Sequence, residues 1–131
     1  MTAFQTTHAF SGFSVDSIDA ARSFYGDTLG MDVTTNAMGF LDISLPQGGS
    51  ILVYVKPNHE PASFTILNFP VDDVEAAVDE LNSRGVMTKI YDDPDSGTDE
   101  KGIAHGGPGR GPDIAWFRDP AGNVLSVLAA G

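Results

Sequence analysis

From His8 onward, two sets of residues alternate. Ala9, Ser11, Phe13 and Val15 share one face of an extended segment, and His8, Phe10, Gly12 and Ser14 share the other. A period of two over this length predicts a strand. The period then lengthens. Ile18, Ala21, Tyr25 and Leu29 form an apolar stripe at helical spacing, and Gly30 follows where a left-handed residue closes a helix. Strand-like segments come next, at about 31–36, 38–45 and 50–56, with Pro46-Gln47-Gly48-Gly49 as a hairpin turn.

The same order then runs a second time. VDSIDAA, from Val15, returns as VDDVEAA from Val71. Val15/Val71, Asp16/Asp72, Ala20/Ala76 and Ala21/Ala77 are identical, while Ile18/Val74 and Asp19/Glu75 exchange like for like. Each copy reads as a strand-to-helix junction. Asp16 and Asp72 are expected to cap the helices, with Asp19 and Glu75 three residues on, close to a capping box. Val74, Ala77, Val78 and Leu81 give the second apolar stripe, and Gly85 its end. Further strands are expected at about 86–91, 112–118 and 124–129, the last two joined by a type I turn at Asp119-Pro120-Ala121-Gly122. With a joint at 56–62, the chain reads as two βαβββ modules, 1–58 and 59–131, within one domain of 1–131. The fold class is α+β.

At this point FSVDSIDAARSFYGDTLGM and IAWFRDPAGNVLSVL resemble the opening and closing signatures of the vicinal oxygen chelate superfamily, which includes glyoxalase I, extradiol dioxygenases and bleomycin-resistance proteins. The resemblance covers nearly the whole chain. It implies tandem modules whose mixed sheets curl into a cup, with helices on the outer face, and relatives that pair as homodimers. In the metal-using relatives, inward side chains from four strands bind a divalent ion. The matching positions here are Phe10, about Tyr54, Ile66 and Ser126. Two of these carry no donor atom and two are poor ligands for ions that prefer carboxylate or imidazole. The resemblance therefore implies no metal and no cofactor, and points to the ligand-sequestering branch.

Composition narrows the partners. The net charge of -11 would repel polyphosphates, so nucleic acid is not an expected partner. No window is long and apolar enough for a membrane helix, no signal peptide is evident, and cysteine is absent; a cytoplasmic location is expected. His8 is expected to line the cup mouth beside Phe10, or to sit at a strand start without a role. His59 is expected to face solvent. His105 and Arg110 lie in the stretch 92–112, a long loop that reads as a lid over the cup, Arg110 being its cation for a carboxylate or an aromatic face. Five acids crowd residues 92–100, which would draw in a cationic guest. Trp116 and Phe117 must point to opposite faces of their strand, and a cup-facing Trp116 with Phe10, Phe40 and Tyr54 would offer stacking walls. No catalytic triad or paired-carboxylate motif is visible. The expectation is a protein that sequesters a flat, cationic, antibiotic-like molecule. The alternative is a glyoxalase-type lyase or dioxygenase with ligands such as His8 and His105.

Overall fold

The repeat becomes two sheets of the same plan. A computed structural model describes residues 3–130. The chain divides into two compact units, one running to Glu60 and the other starting at Pro61. The first contains β1 (Ser11–Val15), α1 (Ile18–Arg22), β2 (Asp32–Thr35), β3 (Leu41–Ser44) and β4 (Ser50–Val55). The second contains β5 (Thr65–Val71), α2 (Val74–Ser83), β6 (Ile103–Ala104), β7 (Ile114–Arg118) and β8 (Val124–Ala129). Strand order is β1-β4-β3-β2 in one sheet and β5-β8-β7-β6 in the other. In each, the first strand runs parallel to the last and the remaining pairs are antiparallel. The expected α+β duplication of a mixed sheet is therefore present.

Alternation decides which face is packed. In the first unit Phe13, Val15, Leu41, Ile43, Ile51 and Val53 are buried with Ala21 and Tyr25 of the helical segment. The rings of Phe13 and Tyr25 lie 5.7 Å apart. In the second, α2 buries Val74, Val78 and Leu81, and its sheet buries Ala115, Phe117, Leu125 and Val127. Removing this apolar surface from water is the main stabilising force in each unit. One face of each sheet is thus committed to a helix; on the other, side chains such as Tyr54 and Trp116 are half-buried, although β8 is buried on both faces at Val124–Val127.

The helix starts depart from expectation by one residue. Ser17 and Asp73, not Asp16 and Asp72, hold the extended cap conformation, and their side chains accept from the amides of Ala20 and Ala76. The first aspartate of each copy sits in the bend just after the strand, one residue too early to reach the orphan amides. The first helix is also shorter than its stripe. After Arg22 the chain widens into a π-helical turn, Ser23–Thr28, in which Leu29 N donates to Phe24 O. Gly30 and Gly85 then close the two helical segments with φ of 74° and 84°.

The expected strand at 86–91 is absent. Val86 and Thr88 are buried and Met87 is 70% exposed, while Lys89, Ile90 and Tyr91 are all half-buried. The polar groups of this segment bond elsewhere: Asn82 Nδ2 donates to Val86 O and Thr88 Oγ1, and Thr88 Oγ1 donates to Lys101 O. Ile103–Ala104 takes the place beside β7 instead. Nor is 92–112 a structureless loop. It holds a 3-10 turn at Pro94–Ser96, β6, and bridges pairing Thr98 with Ala104 and Gly107 with Gly111. Among the described residues, no helix is long and apolar enough to cross a membrane.

Candidate functional site

Each sheet has a face turned away from its helix, and the two faces carry different side chains. In the first unit the register sets Ser14 opposite Tyr54 and Gly12 opposite Leu52, with Asp42 on the far side of Leu52. Phe40, just ahead of β3, meets the Tyr54 ring edge-on at 6.4 Å. A Cβ at Gly12 would press on Leu52 O at 3.2 Å, while the Tyr54 ring would stay at an ordinary 3.9 Å. His59 is half-buried and hydrogen-bonded through Nδ1 to Ser14 Oγ at 2.7 Å, which corrects its expected solvent-facing placement. A turn that donates His59 N to Lys56 O brings the ring back over β1. His8 and Phe10 precede β1 and are exposed, Phe10 by 62%.

In the second unit one row of the ladder runs Asn68–Ser126–Trp116 across β5, β8 and β7. Ser126 is fully buried and its Oγ donates to Asn68 Oδ1 at 2.5 Å. Trp116 is half-buried and meets Tyr91 edge-on at 5.6 Å. Phe117 points the other way, stacked on Phe69 within the packed face. Tyr91 is secured by Thr98, whose Oγ1 donates to Tyr91 O and itself accepts from Lys89 Nζ. Ile66 is the extra residue of a bulge between Thr65 and Leu67.

The hairpin that carries Trp116 and Ser126 is fixed at its tip. Asp119 is buried, and its Oδ1 accepts from Ala121 N and Asn123 N. Asn123 in turn accepts from Ala62 N, tying the start of the unit to the turn. Gly122 has φ of 88°, the left-handed value that this position requires of glycine.

His105 and Arg110 lie elsewhere in the second unit. His105 Nε2 is 2.7 Å from Asp99 Oδ2, and its Nδ1 faces Asp113 at 3.9 Å. The bond to Asp99, with the charges of Asp99, Asp113 and Glu75, holds the imidazole above its ordinary range against the opposing effect of burial. Burial alone would raise Asp99. Amide bonds from Ile103 and Lys101 and the contact with His105 outweigh it and leave the carboxyl below its ordinary range. An imidazole held between two carboxylates is suited to carrying charge, not to acting as a free base. Arg110 is exposed in the turn between Gly107 and Gly111. An open cleft of about 330 Å³ flanks the end of α2, lined by residues such as Met87, Thr88, Lys89 and Lys101. Its lysines are engaged, Lys89 with Thr98 and Lys101 with Asp79 at 2.9 Å. It offers a ligand little that is free.

The positions where metal-using relatives hold an ion do not fit one. Phe10 and Ile66 have no donor, the Ser126 hydroxyl is committed to Asn68, and only the Tyr54 phenol remains. Among the described residues no group of three or more histidine, aspartate and glutamate side chains is arranged to grip a cation. Sequence reasoning missed Asn68, Tyr91 and Asp99. Asn68 was detectable as a polar residue inside the apolar run TILNFPV, and Tyr91 as the outward member of an alternating segment. Asp99 was hidden within the acidic run.

Known structures share this architecture. TnmS3, an antibiotic binding protein from Streptomyces sp. CB03234, is 24% identical with a TM-score of 0.63, covering 98% of this chain and 100% of its own. A superfamily member from Sphaerobacter thermophilus is 20% identical with a TM-score of 0.67, covering 95% and 98%. A glyoxalase family protein from Enterococcus faecalis is 20% identical with a TM-score of 0.65, covering 95% and 98%. At these identities the likeness is one of fold. No curated protein matches the sequence significantly. The family model that matches residues 7–127 settles the membership: the chain belongs to the Glyoxalase/Bleomycin resistance protein/Dioxygenase superfamily.

Proposed function

We propose that this protein is a metal-independent binder that sequesters a flat, cationic small molecule, acting by stoichiometric capture as an antibiotic-resistance protein does. The observation that carries the reading is the Ser126 position. Where catalytic relatives hold a metal-binding side chain, a buried hydroxyl is tied to Asn68 beside the half-exposed indole of Trp116. Aromatic pairs, Tyr91 with Trp116 and Phe40 with Tyr54, supply stacking surface on the open faces. The net charge of -11 favours capture of a cation over an anion. The antibiotic-binding relative TnmS3 has the same fold. Under this reading 1–131 works as one domain, in the cytoplasm, as a homodimer of the kind the family resemblance implies. Within the second unit, Ile66 would border the guest.

Fluorescence of Trp116, the sole tryptophan, reports directly on stacking. Titration with a panel of cationic aromatic antibiotics is expected to quench it saturably, with micromolar dissociation constants, equivalent to about 8 kcal/mol of binding. Flat titrations throughout would remove the reading. Elemental analysis of protein purified without chelator provides an independent check. One equivalent of a transition metal, lost on His8→Ala, would favour the lyase or dioxygenase alternative.

A further inference from the structure

We propose that Asn68 is the specificity residue of this site, a fixed amide donor that selects planar guests carrying a carbonyl-type acceptor. The inference rests on the binding reading above and names the chemistry of the guest. Ser126 is fully buried, and its one polar contact is the bond its hydroxyl donates to Asn68 Oδ1. A buried hydroxyl needs a place for its proton, and the amide oxygen is that place. The bond therefore fixes which way the amide points. With Oδ1 occupied, the two N–H bonds of Nδ2 are left outward, and no partner for them exists among the described residues. Asn68 is itself exposed, so this donor is available.

The ladder sets the distance over which it acts. Trp116, Ser126 and Asn68 occupy one row on three adjacent strands, in register. Neighbouring strands lie about 4.8 Å apart, so the indole and the amide stand about 10 Å apart across the sheet. A fused tricycle stacked against Trp116 spans that gap and brings a ring carbonyl to Nδ2. A carbonyl accepts the amide N–H with no proton transferred and none lost. Positive charge elsewhere on the guest serves its capture, while the carbonyl fixes its orientation. A guest with the same ring and no acceptor would leave the amide without a partner.

The test compares 9-fluorenone with fluorene, which share a flat tricyclic skeleton and differ as carbonyl against methylene. Quenching of Trp116 is expected to show fluorenone bound about tenfold more tightly. Asn68→Asp keeps the acceptor for Ser126 but removes the outward donor, and Asn68→Leu removes both. Each is expected to abolish the preference, so that the two probes bind with equal affinity, with circular dichroism verifying that the variants fold. Equal affinity of the two probes for the unaltered protein overturns the selection and leaves the stacking site in place. Absence of quenching by either overturns the selection, while the titration with cationic antibiotics decides the binding reading separately.

Discussion

The two units begin with nearly the same seven residues and end with sheets of the same order, yet they differ between helix and penultimate strand. The first unit crosses from α1 to β3 through a π-helical turn and a short strand, every step in local contact. The second takes residues 84–113 for the same passage and keeps only the two-residue β6 in the sheet. That longer passage holds His105, Asp99, Tyr91 and both engaged lysines, Lys89 and Lys101. Caps and alternation set the duplicated frame. Departure from duplication is where distinctive chemistry collects, because a segment outside the ladder is free to be shaped by side-chain bonds.

The largest effect expected concerns the contrast between packed and open faces. Phe117→Ala empties a site that is 1% exposed and stacked on Phe69, and should lower stability by about 3–5 kcal/mol in urea titration. Trp116→Ala, one residue away on the open face, should cost clearly less while abolishing ligand-dependent signals. Equal losses would mean that both faces are core. Next comes Gly102→Ala. Its φ is +87° and a Cβ would collide with the Thr88 backbone, so a loss of about 2–4 kcal/mol is expected. Gly26→Ala in the first unit, where the nearest atom is an ordinary 3.8 Å from the new Cβ, should stay within about 1 kcal/mol of neutral.

Smaller effects sharpen the kinship of the units. Ser17→Ala and Asp73→Ala should each cost about 1 kcal/mol, whereas Asp16→Ala and Asp72→Ala should fall within about 0.5 kcal/mol of the parent. The reverse ranking would restore the earlier cap assignment. The smallest effect belongs to the second unit alone. His105 binds its proton more tightly when folded, so its stabilising pairing with Asp99 is complete below the ordinary histidine value of 6.5 and fades as pH rises through the folded midpoint. Asp99 is held low, so its share is present above 3.8 and is lost as pH falls through its own folded midpoint. Proton NMR of His105 should show its titration midpoint dropping in Asp99→Asn. An unchanged midpoint would detach the two groups. Solvent exposure keeps the energetic consequence slight.

The sequence made the frame legible because its signals are local. Five of the expected strands, at about 31–36, 38–45, 50–56, 112–118 and 124–129, lie where β2, β3, β4, β7 and β8 form, and Gly122 closes the turn it was expected to close. The strand expected at 86–91 did not form, because a short apolar segment does not say whether its backbone bonds a strand or a side chain such as Asn82. The π-helical turn was hidden because the Ile18–Leu29 stripe fits either winding over so short a run. Of the aromatic side chains on the open faces, Trp116, Phe40 and Tyr54 were expected from the sequence and Tyr91 was not. The polar positioning of the site was not legible, because the Asn68–Ser126 bond joins two distant strands, and only their register reveals it.

Where Gly102 crosses the Thr88 backbone, the chain is pinched at the base of residues 89–101. Thr88 Oγ1 donating to Lys101 O closes the clasp. Such a closed ring is a natural port for variation. Lengthening it carries only a logarithmic entropic penalty, provided Tyr91 and Thr98, which meet Trp116 and Ala104 of the sheet, are kept. Peptides grafted into this ring, or sequence drift within it, could alter what the molecule meets without asking the rest of the architecture to move.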